Sequence, residues 1–327
     1  MMAEKTLNQT LHTAKAGKKD EFYTQISDIE SELQHYKKHF KNKVVFCNCD
    51  DPRNSNFFNY FAYNFEKLGL KKLITTCYKS QASDLFLQEE AEKAFFLEYA
   101  GDKNGNKIPD AEEIGMTPLK GDGDFRSKES INLLKQADIV VTNPPFSLFR
   151  EYVEQLVKYE KKFLIIGNIN AITYKEIFKL IKENNAWLGI NMGRGISGFI
   201  VPEHYELYGT ETRIDHFGNK IISPNNCLWL TNLDTFKRHE DIVLTKAYYG
   251  NEIQYPKFDN YDAININKTQ DIPSDYEGVM GVPITFLHKY NPEQFELLRF
   301  RKGNDEKDLS VNGKCPYFRI LIKNKRL

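Results

Sequence analysis

The residues whose types and order best fit a defined chemistry are Asn143-Pro144-Pro145-Phe146. Two prolines directly after an asparagine make a rigid turn, because each ring fixes a φ angle and removes a backbone donor. The Asn143 side-chain oxygen and the Pro144 backbone carbonyl can then converge on one amino group as paired acceptors. Phe146 offers a flat face to a planar ring. The run predicts chemistry on a ring-bound amino group, and a structural turn with an asparagine cap is the alternative.

Other motifs that could bind a metal or supply a nucleophile are weaker. Residues 102–113 place oxygen atoms at the spacing of a calcium loop, but the glycine stands at the fourth position instead of the sixth, which favours a solvated turn. His35 and His39 share a helix face, but lysines lie between them and no metalloprotease glutamate is present. The sequence has no Gly-x-Ser-x-Gly elbow. We therefore expect neither a metal site nor Ser-His-Asp catalysis.

Short apolar runs alternating with helical patterns lie on both sides of the 143–146 turn, which is typical of βαβ units and a mostly parallel sheet. The predicted strands are 44–49, 73–77, 138–142, 163–166, 187–190 and 225–230. The predicted helices are 56–68, 147–159 and 173–183. In such sheets ligands bind at the carboxyl ends of the strands, where Asp50 and Asn143 both fall.

The rest of the chain does not continue this alternation. Residues 81–117 are polar and irregular, and we expect them to form an excursion from the sheet. Beyond about residue 235 the chain becomes rich in Tyr, Asn, Asp and Pro, and it ends in a basic run over 314–327. The sequence therefore predicts one domain over 1–235 and a second region over 236–327 with a basic C-terminal end.

Composition limits the class of protein. The 327 residues are 41% hydrophobic and 28% charged, as in a folded protein, with 45 basic and 45 acidic side chains. A polycation is excluded, but a local basic face offset by acidic surface still fits nucleic acid. The five cysteines are few, odd in number and mostly within apolar runs, which predicts reduced thiols in a cytoplasmic protein. No apolar run is long enough to cross a membrane.

Several motifs in chain order resemble those of amino-group methyltransferases that use S-adenosylmethionine. Besides the 143–146 turn, these are the runs 20–24 (DEFYT), 46–50 (FCNCD) and 123–125 (GDF). The resemblance is restricted to one family of these enzymes by three further runs, which are 50–53 (DDPR), 193–199 (GRGISGF) and 259–265 (DNYDAIN). The whole chain is similar to the EcoRI-type adenine-specific DNA methyltransferases, and the run 279–286 (VMGVPITF) belongs to the same resemblance.

The resemblance implies a fold, a reaction and a partner. The fold is α/β, of the Rossmann-like class I S-adenosylmethionine-dependent methyltransferase type. The domain over 1–235 is then catalytic, with an N-terminal segment that contacts cofactor and DNA, and the C-terminal region over 236–327 recognises the DNA target. The reaction is methylation of adenine N6 in duplex DNA, within a GAATTC-type palindrome, protecting the site from a cognate restriction endonuclease. That endonuclease is a functional rather than a physical partner, and we expect the methyltransferase to act as a monomer in the bacterial cytoplasm.

The resemblance also implies roles for individual residues. The catalytic residues it implies are Asn143, Pro144, Pro145 and Phe146. The cofactor-binding residues it implies are Tyr23, Thr24, Cys47, Asp50, Asp51, Asp124 and Phe125. The residues it implies for the target base and DNA are Phe199, Arg194, Arg213 and Lys220. Because the net charge is zero, phosphate binding requires a segregated basic face, and we expect Lys15, Lys18, Lys19 and the 314–326 tail to contribute to it. The usual glycine-rich loop after the first strand is replaced by 47–50, and the second strand lacks the ribose-binding acid, so Asp50 or Asp51 takes that role or holds the methionine ammonium.

Three other functions compete with this one. Asn-Pro-Pro-aromatic turns also serve methylation of RNA adenines and of protein glutamines. A DNA-binding module with a vestigial cofactor pocket is a non-enzymatic alternative, which the intact 143–146 turn disfavours. A nicotinamide dehydrogenase is disfavoured because no Gly-x-Gly-x-x-Gly follows the first strand.

Overall fold

A computed structural model describes residues 23–49, 55–76, 94–106, 109, 113–201, 212–223 and 226–327. The chain divides into two units, each built from two chain segments. The first consists of Met1–Ala171 and Asn191–Leu233, and the second of Ile172–Ile190 and Asp234–Leu327. In the described parts of the chain, no helix has the length and apolar character needed to cross a membrane.

Seven strands of a mixed eight-stranded sheet form the centre of the first unit. In chain order the strands are β2 (Val44–Cys47), β3 (Lys72–Thr76), β4 (Phe95–Tyr99), β5 (Gly115–Pro118), β6 (Ile139–Thr142), β7 (Lys162–Asn168) and β12 (Cys227–Thr231). Their order across the sheet is β5-β4-β3-β2-β6-β7-β12. The central strands β3, β2, β6 and β7 are parallel, and β12 is antiparallel to β7. This α/β architecture, with a parallel centre flanked by helices, agrees with the predicted class I methyltransferase fold.

The edge formed by β4 and β5 was not expected from the sequence. β4 is antiparallel to β3 and β5 is antiparallel to β4, so the sheet is mixed rather than mostly parallel. The prediction that residues 81–117 form an irregular excursion is wrong for these two strands. All four residues of β5 are exposed, so its sequence carries no burial pattern that would distinguish it from a loop.

Helices connect the strands of the first unit. They are α1 (Ile26–Leu33), α2 (Lys37–Phe40), α3 (Asn56–Tyr63), α4 (Phe65–Leu68), α5 (Lys128–Gln136) and α6 (Phe149–Lys158). Ser55 begins α3 by accepting the Phe58 backbone N–H, and Ser127 caps α5 in the same way through Ser130. The helix predicted over 56–68 is divided into α3 and α4 at Asn64. The aromatic face of α3 packs into the core beneath the sheet, where Phe57 and Phe61 are nearly inaccessible.

A second, smaller antiparallel sheet belongs to the same unit. Its strands are β1 (Tyr23–Thr24), β9 (Phe199–Val201), β10 (Thr212–Ile214) and β11 (Lys220–Ile222), in the order β1-β9-β11-β10. Thr24 lies opposite Phe199, and Ile222 lies opposite Phe199 on the other side. The sheet therefore brings the N-terminal segment beside a strand that lies about 175 residues later in the chain.

The second unit has its own sheet and helix. Its strands are β13 (Ala263–Asn265), β14 (Val279–Pro283), β15 (Phe295–Phe300) and β16 (Arg319–Asn324), in the order β13-β14-β16-β15. Helix α7 (Lys175–Lys182) belongs to this unit because the Phe178 ring packs on Phe300 and Lys182 Nζ donates to the Leu298 carbonyl at 2.7 Å. One further strand, β8 (Trp187–Met192), contains the boundary between the units.

The division differs from the domains expected from the sequence in one segment. The sequence predicts a boundary after residue 235, whereas the structure divides the chain after Leu233 and groups Ile172–Ile190 with the second unit. Hydrophobic periodicity indicates that 173–183 is a helix but does not show which face of which sheet it covers. That choice depends on contacts such as the one between Phe178 and Phe300, which are far apart in sequence.

Close packing behind the 143–146 turn gives a first prediction. A Cβ atom at Gly167, in β7, would lie 2.5 Å from the buried ring of Phe149, the first residue of α6. We expect Gly167→Ala to lower the free energy of unfolding by about 1–3 kcal/mol because the added methyl group overpacks against the buried Phe149 ring. Gly115→Ala is the control, since its Cβ would meet only the Glu98 carbonyl at 3.8 Å. Urea midpoints measure both, and equal midpoints would show that Phe149 repacks without cost.

Candidate active site

The 143–146 turn lies at the topological switch point of the central sheet. β2 has β3 on one side and β6 on the other, so the connections that leave β2 and β6 diverge at their carboxyl ends. Ligands of open α/β sheets bind in the crevice formed there. The segments that follow these two strands are Asn48-Cys49 and Asn143-Pro144-Pro145-Phe146, two of the runs singled out in the sequence.

Hydrogen bonds connect the ends of the three central strands. Thr142 Oγ1, at the end of β6, donates to the backbone carbonyl of Asn48, and Tyr152 Oη of α6 donates to Asn48 Oδ1. Thr75 Oγ1 of β3 donates to the Cys47 carbonyl at 2.7 Å. Burial raises the pKa of Tyr152 well above its usual range, so its phenol stays protonated as a donor. The segment after β2 is thereby fixed against the strand that carries the turn.

The turn itself is short and stiff. Pro144 is buried, and the Pro145 carbonyl accepts the Leu148 N–H at 3.0 Å, which starts a 3₁₀ helix over Phe146–Leu148. Helix α6 follows directly, with Phe149, Tyr152 and other side chains of one face in the core. The prolines therefore hold Asn143 between a buried strand and a buried helix.

The Gly123-Asp124-Phe125 run docks on the helix that follows the turn. Phe125 is buried and its ring packs edge-to-face on Tyr152, with centroids 5.1 Å apart. Gln155 Nε2, one turn further along α6, donates to the Phe125 carbonyl at 3.1 Å. Gly123 has φ 80°, a left-handed conformation that favours glycine. This conformation determines the direction in which Asp124 and Phe125 leave the turn. Asp124 and Phe125 are thus brought to the same helix as the 143–146 turn.

The Asp124 carboxylate already has a cationic neighbour. Arg126 Nε donates to Oδ1 at 2.8 Å and Arg126 Nη2 to Oδ2 at 2.6 Å, and the Arg126 backbone N–H also donates to Oδ1. These bonds hold the pKa of Asp124 below its usual range. The carboxylate is therefore ionised at neutral pH, and each of its oxygens has two acceptor sites. The arrangement leaves capacity to accept an amino hydrogen of a ligand.

Phe199 contacts the turn from the smaller sheet. The rings of Phe146 and Phe199 meet edge-to-face, with centroids 6.1 Å apart and planes at 79°. Phe199 is almost fully buried, whereas Phe146 is partly exposed. Thr24 and Tyr23 join this group through the pairing of β1 with β9, and the Asn56 side chain donates to the Thr24 carbonyl at 2.8 Å. The pairing of β1 with β9 thus brings Tyr23 and Thr24, predicted to bind the cofactor, next to Phe199, predicted to contact the target base.

Two buried hydroxyl groups test whether the unit fits a polar cofactor. Thr24 Oγ1, in the predicted N-terminal cofactor motif, is buried without a hydrogen-bond partner among the described residues. The same holds within the described ranges for Thr76 Oγ1, which ends β3 where a ribose-binding acid was expected. A buried hydroxyl without a partner costs about 1–3 kcal/mol, which a ligand's polar group would remove. The residues present therefore fit a ligand with hydroxyl, ammonium or carboxylate groups.

The remaining residues predicted to bind the cofactor or DNA are not all placed at the crevice by the described structure. Asp50 and Asp51 lie outside the described residues, as do Lys15, Lys18 and Lys19 and the side chain of Arg194. Arg213 and Lys220 lie on the β10–β11 hairpin. Arg213 Nη2 donates to the Ser197 carbonyl at 3.0 Å, and Nη1 donates to Ser223 Oγ at 2.6 Å. Its guanidinium is thus directed at the segment leading into Phe199, and its role toward DNA stays a prediction.

The basic run at the C-terminus is not uniformly available to a polyanion. Arg319 is buried, and its guanidinium donates to the side-chain oxygens of Asn265 and Asn267 and to the Tyr317 carbonyl. Arg326 forms an ion pair with Asp241. The prediction that 314–327 presents its cations together as a basic face is therefore wrong for Arg319, which fastens β16 to the β13 side of its own sheet.

Several functional positions were missed in the sequence. Asn48, Thr142 and Tyr152 fix the crevice, but their roles depend on side-chain hydrogen bonds between residues 94 and 104 positions apart. Gln25, Asp28 and Ser223 support Ser197, which precedes Phe199. Asn48 lay inside a quoted motif and was available as a signal. The other residues carry no distinguishing sequence pattern. Tyr152 occupies an ordinary apolar position of a helix, and Asp28 is an ordinary acidic residue in the first turn of a helix.

The sheet order, the switch-point crevice and the Asn-Pro-Pro-aromatic turn together define a class I methyltransferase acting on an amino group. A model of the family described as adenine-specific methyltransferase EcoRI matches residues 10–325. The chain therefore belongs to the EcoRI family of adenine-specific DNA methyltransferases, and the resemblance found in the sequence is confirmed. It is a site-specific DNA methyltransferase of a restriction-modification system, an enzyme that modifies adenine. Methyltransferases of this class generally take their methyl group from S-adenosylmethionine.

Curated relatives span the same length. The chain is 69% identical to the type II methyltransferase M.EcoRI of Escherichia coli, over the whole of this chain and 99% of that protein. It is 41% identical to M.MgeORF184P of Mycoplasma genitalium, over 96% of this chain and 98% of the relative. It is 37% identical to M.MpnI of Mycoplasma pneumoniae, over 96% and 97%. No solved structure matches the chain.

Proposed function

We propose that the enzyme methylates N6 of an adenine within a GAATTC-type palindrome, using S-adenosylmethionine, after rotating the target nucleotide out of the duplex. The observation that carries this proposal is the 143–146 turn, fixed at the switch point by the bonds of Thr142 and Tyr152 to Asn48. The target amine lies inside the duplex, so the base must leave the stack to reach a buried turn. The relationship to M.EcoRI supports the palindrome.

The chemistry follows from the two acceptors in the turn. The exocyclic nitrogen of adenine is a poor nucleophile because its lone pair is conjugated with the ring. The Asn143 side-chain oxygen and the Pro144 carbonyl accept its two hydrogens, which favours tetrahedral nitrogen and localises the lone pair. The nitrogen would then form a bond to the methyl carbon as the bond from that carbon to the sulfonium sulfur breaks, and it would release one hydrogen as a proton to solvent. This is catalysis by position and electrostatics, without a strong base.

The cofactor supplies an electrophilic methyl group on a sulfonium, and this chain's residues hold and orient it. Asp124 accepts the adenine amine of the cofactor, and Phe125 packs beside it. Thr24 and Thr76 offer their buried hydroxyls to polar groups of the ligand. Tyr23, Cys47, Asp50 and Asp51 remain proposed cofactor residues from the family resemblance. Phe146 stacks on the flipped target base, and Phe199 supports it from the side.

The Asp124 assignment yields a second prediction. We expect Asp124→Ala to weaken S-adenosylmethionine binding by about 1–3 kcal/mol, because the acceptor proposed for the cofactor's adenine amine is removed. Arg126→Gln is the matched control, since it breaks the pair with Asp124 but leaves the carboxylate. Its effect on affinity is expected to be smaller. Calorimetry measures both, and equal weakening in the two variants would mean that the ion pair, not the acceptor, matters.

The proposed reaction is tested by comparing acceptors. Purified enzyme with methyl-labelled S-adenosylmethionine is offered a duplex containing GAATTC, the same duplex with one base pair of the site changed, an RNA of equal sequence and a glutamine-containing protein. We expect label on adenine N6 of the first duplex, and plasmid from expressing cells to resist the endonuclease that cuts GAATTC. Label on RNA or glutamine instead would replace the proposal with its alternative, and the absence of label on all four acceptors would contradict it.

Target recognition is proposed for the second region, 236–327, together with the β10–β11 hairpin. Direct readout requires Arg, Lys, Asn or Gln side chains at base edges. Arg194, Arg213 and Lys220 remain proposed contacts to DNA or the target base. We further propose that the enzyme acts as a monomer in the cytoplasm, where its DNA substrate lies, with the restriction endonuclease as a separate protein.

A further inference from the structure

Ser197 is held by more hydrogen bonds than a surface serine needs. Its backbone N–H and its Oγ both donate to Asp28 Oδ2, each at 2.9 Å. Its Oγ accepts from Gln25 Nε2 at 2.5 Å. Its carbonyl accepts from Ser223 Oγ at 2.6 Å and from Arg213 Nη2 at 3.0 Å. Three separate chain segments thus fix every polar group of this residue, and we call the four supporting side chains and Ser197 the Ser197 clamp.

The clamp lies two residues before Phe199, with only Gly198 between them. Gly198 has φ 131°, and a Cβ there would lie 2.6 Å from both the Ile222 carbonyl and Ser223 Oγ, so no other residue fits. Gln25 Nε2 also donates to the Gly198 carbonyl at 3.0 Å. Phe199 begins β9 and meets the Phe146 ring. The backbone between Ser197 and Phe199 is therefore short and has little conformational freedom.

The central group of the clamp is costly for the fold. Asp28 is only 6% exposed, and burial raises its pKa above the usual range even though Arg213 and the donors of Ser197 and Gly198 favour its charged form. A buried carboxylate bonded mainly to neutral groups contributes little to stability or opposes it. The burial of the Asp28 carboxyl therefore indicates a role other than packing.

We propose that Asp28 is a positioning residue, which through Ser197 fixes the Phe199 ring at the place where the flipped target adenine is received. This inference rests on the proposed role of Phe199 and extends it to a residue that touches neither base nor cofactor. Arg213 and Gln25 complete the same device, so the N-terminal segment and the β10–β11 hairpin contribute to base capture through Ser197.

The test measures base flipping and methylation separately from cofactor binding. The substrate is a duplex with 2-aminopurine in place of the target adenine, whose fluorescence rises on unstacking, and a matched adenine duplex for single-turnover methylation. We expect Asp28→Ala to reduce both the fluorescence rise and the methylation rate on the order of 10-fold, since small misplacements of a positioned group have large effects. S-adenosylmethionine affinity is expected to stay unchanged.

Two variants separate positioning from general stability. Asp28→Asn keeps a carbonyl oxygen that can accept both Ser197 donors, so it should restore most of the flipping signal. Ser31→Ala, on the same helix, loses only its bond with Asn191 Nδ2 and should leave flipping unchanged. Gln25→Ala is measured as well, so that the inference stays testable if Asp28→Ala does not fold. Normal flipping in folded Asp28→Ala or Gln25→Ala would overturn the inference.

A double-mutant cycle distinguishes failure of this inference from failure of the proposed function. If Asp28 acts through Phe199, then Asp28→Ala should add no further loss in a Phe199→Ala background. Additive losses would contradict the inference alone. No effect of Phe199→Ala by itself on flipping would instead contradict the proposed role of Phe199.

Discussion

Replacing Asn143 with alanine is expected to slow single-turnover methylation on the order of 100-fold or more, with little loss of DNA or cofactor affinity. One of the two acceptors for the adenine amine disappears, while Pro144 and Pro145 still hold the backbone. The lost contact matters most as nitrogen becomes tetrahedral, so it reduces the rate of chemistry rather than binding. The size follows by analogy with the removal of one oxyanion-hole donor.

Rapid-quench methylation with enzyme in excess of duplex measures this effect, and DNA affinity is measured alongside. Asn143→Asp keeps an acceptor oxygen and is the matched control, so it should retain more activity than the alanine variant. Circular dichroism establishes that each variant is folded. Near-normal methylation by folded Asn143→Ala would refute the catalytic assignment, because no second turn in this sequence offers the same pair of acceptors.

Replacing Phe146 with alanine is expected to act on the flipped base rather than on the chemical step. Stacking of a base on an aromatic ring is worth about 1–3 kcal/mol, which corresponds to about 5- to 150-fold in the flipping equilibrium. The Phe146 ring is partly exposed and meets Phe199 edge-to-face, so it is accessible to a ligand. The loss should appear in 2-aminopurine fluorescence and in methylation together.

Phe146→Tyr is the control because it keeps the ring and should flip the base nearly as well as the native enzyme. Phe146 also packs against the core, so the alanine variant will lose some stability, and urea unfolding is measured to confirm that it remains folded under assay conditions. A full 2-aminopurine signal from folded Phe146→Ala, with slow methylation, would assign Phe146 to the chemical step instead of base capture.

The sequence by itself determined the parts of this protein whose information is local. The buried strands and the connecting helices of the central sheet could be predicted because burial leaves period-specific apolar runs, as in Val44–Cys47 and Ile139–Thr142. The 143–146 turn was recognisable because proline stiffness and asparagine chemistry are properties of consecutive residues. The resemblance to the EcoRI family likewise rested on short runs in a fixed order.

Only the tertiary structure decided which distant groups meet. Strands β4, β5 and β1 are too short or too exposed to carry a pattern, and their place follows from hydrogen bonds to partners elsewhere in the chain. The bonds of Tyr152 to Asn48 and of Asp28 to Ser197 span 104 and 169 residues. Arg319, which reads as part of a basic tail, is buried because β16 places it opposite Pro283 inside a sheet. The type of each residue can be read from the sequence. Its burial and its hydrogen-bond partners depend instead on the register between strands that are far apart in the chain.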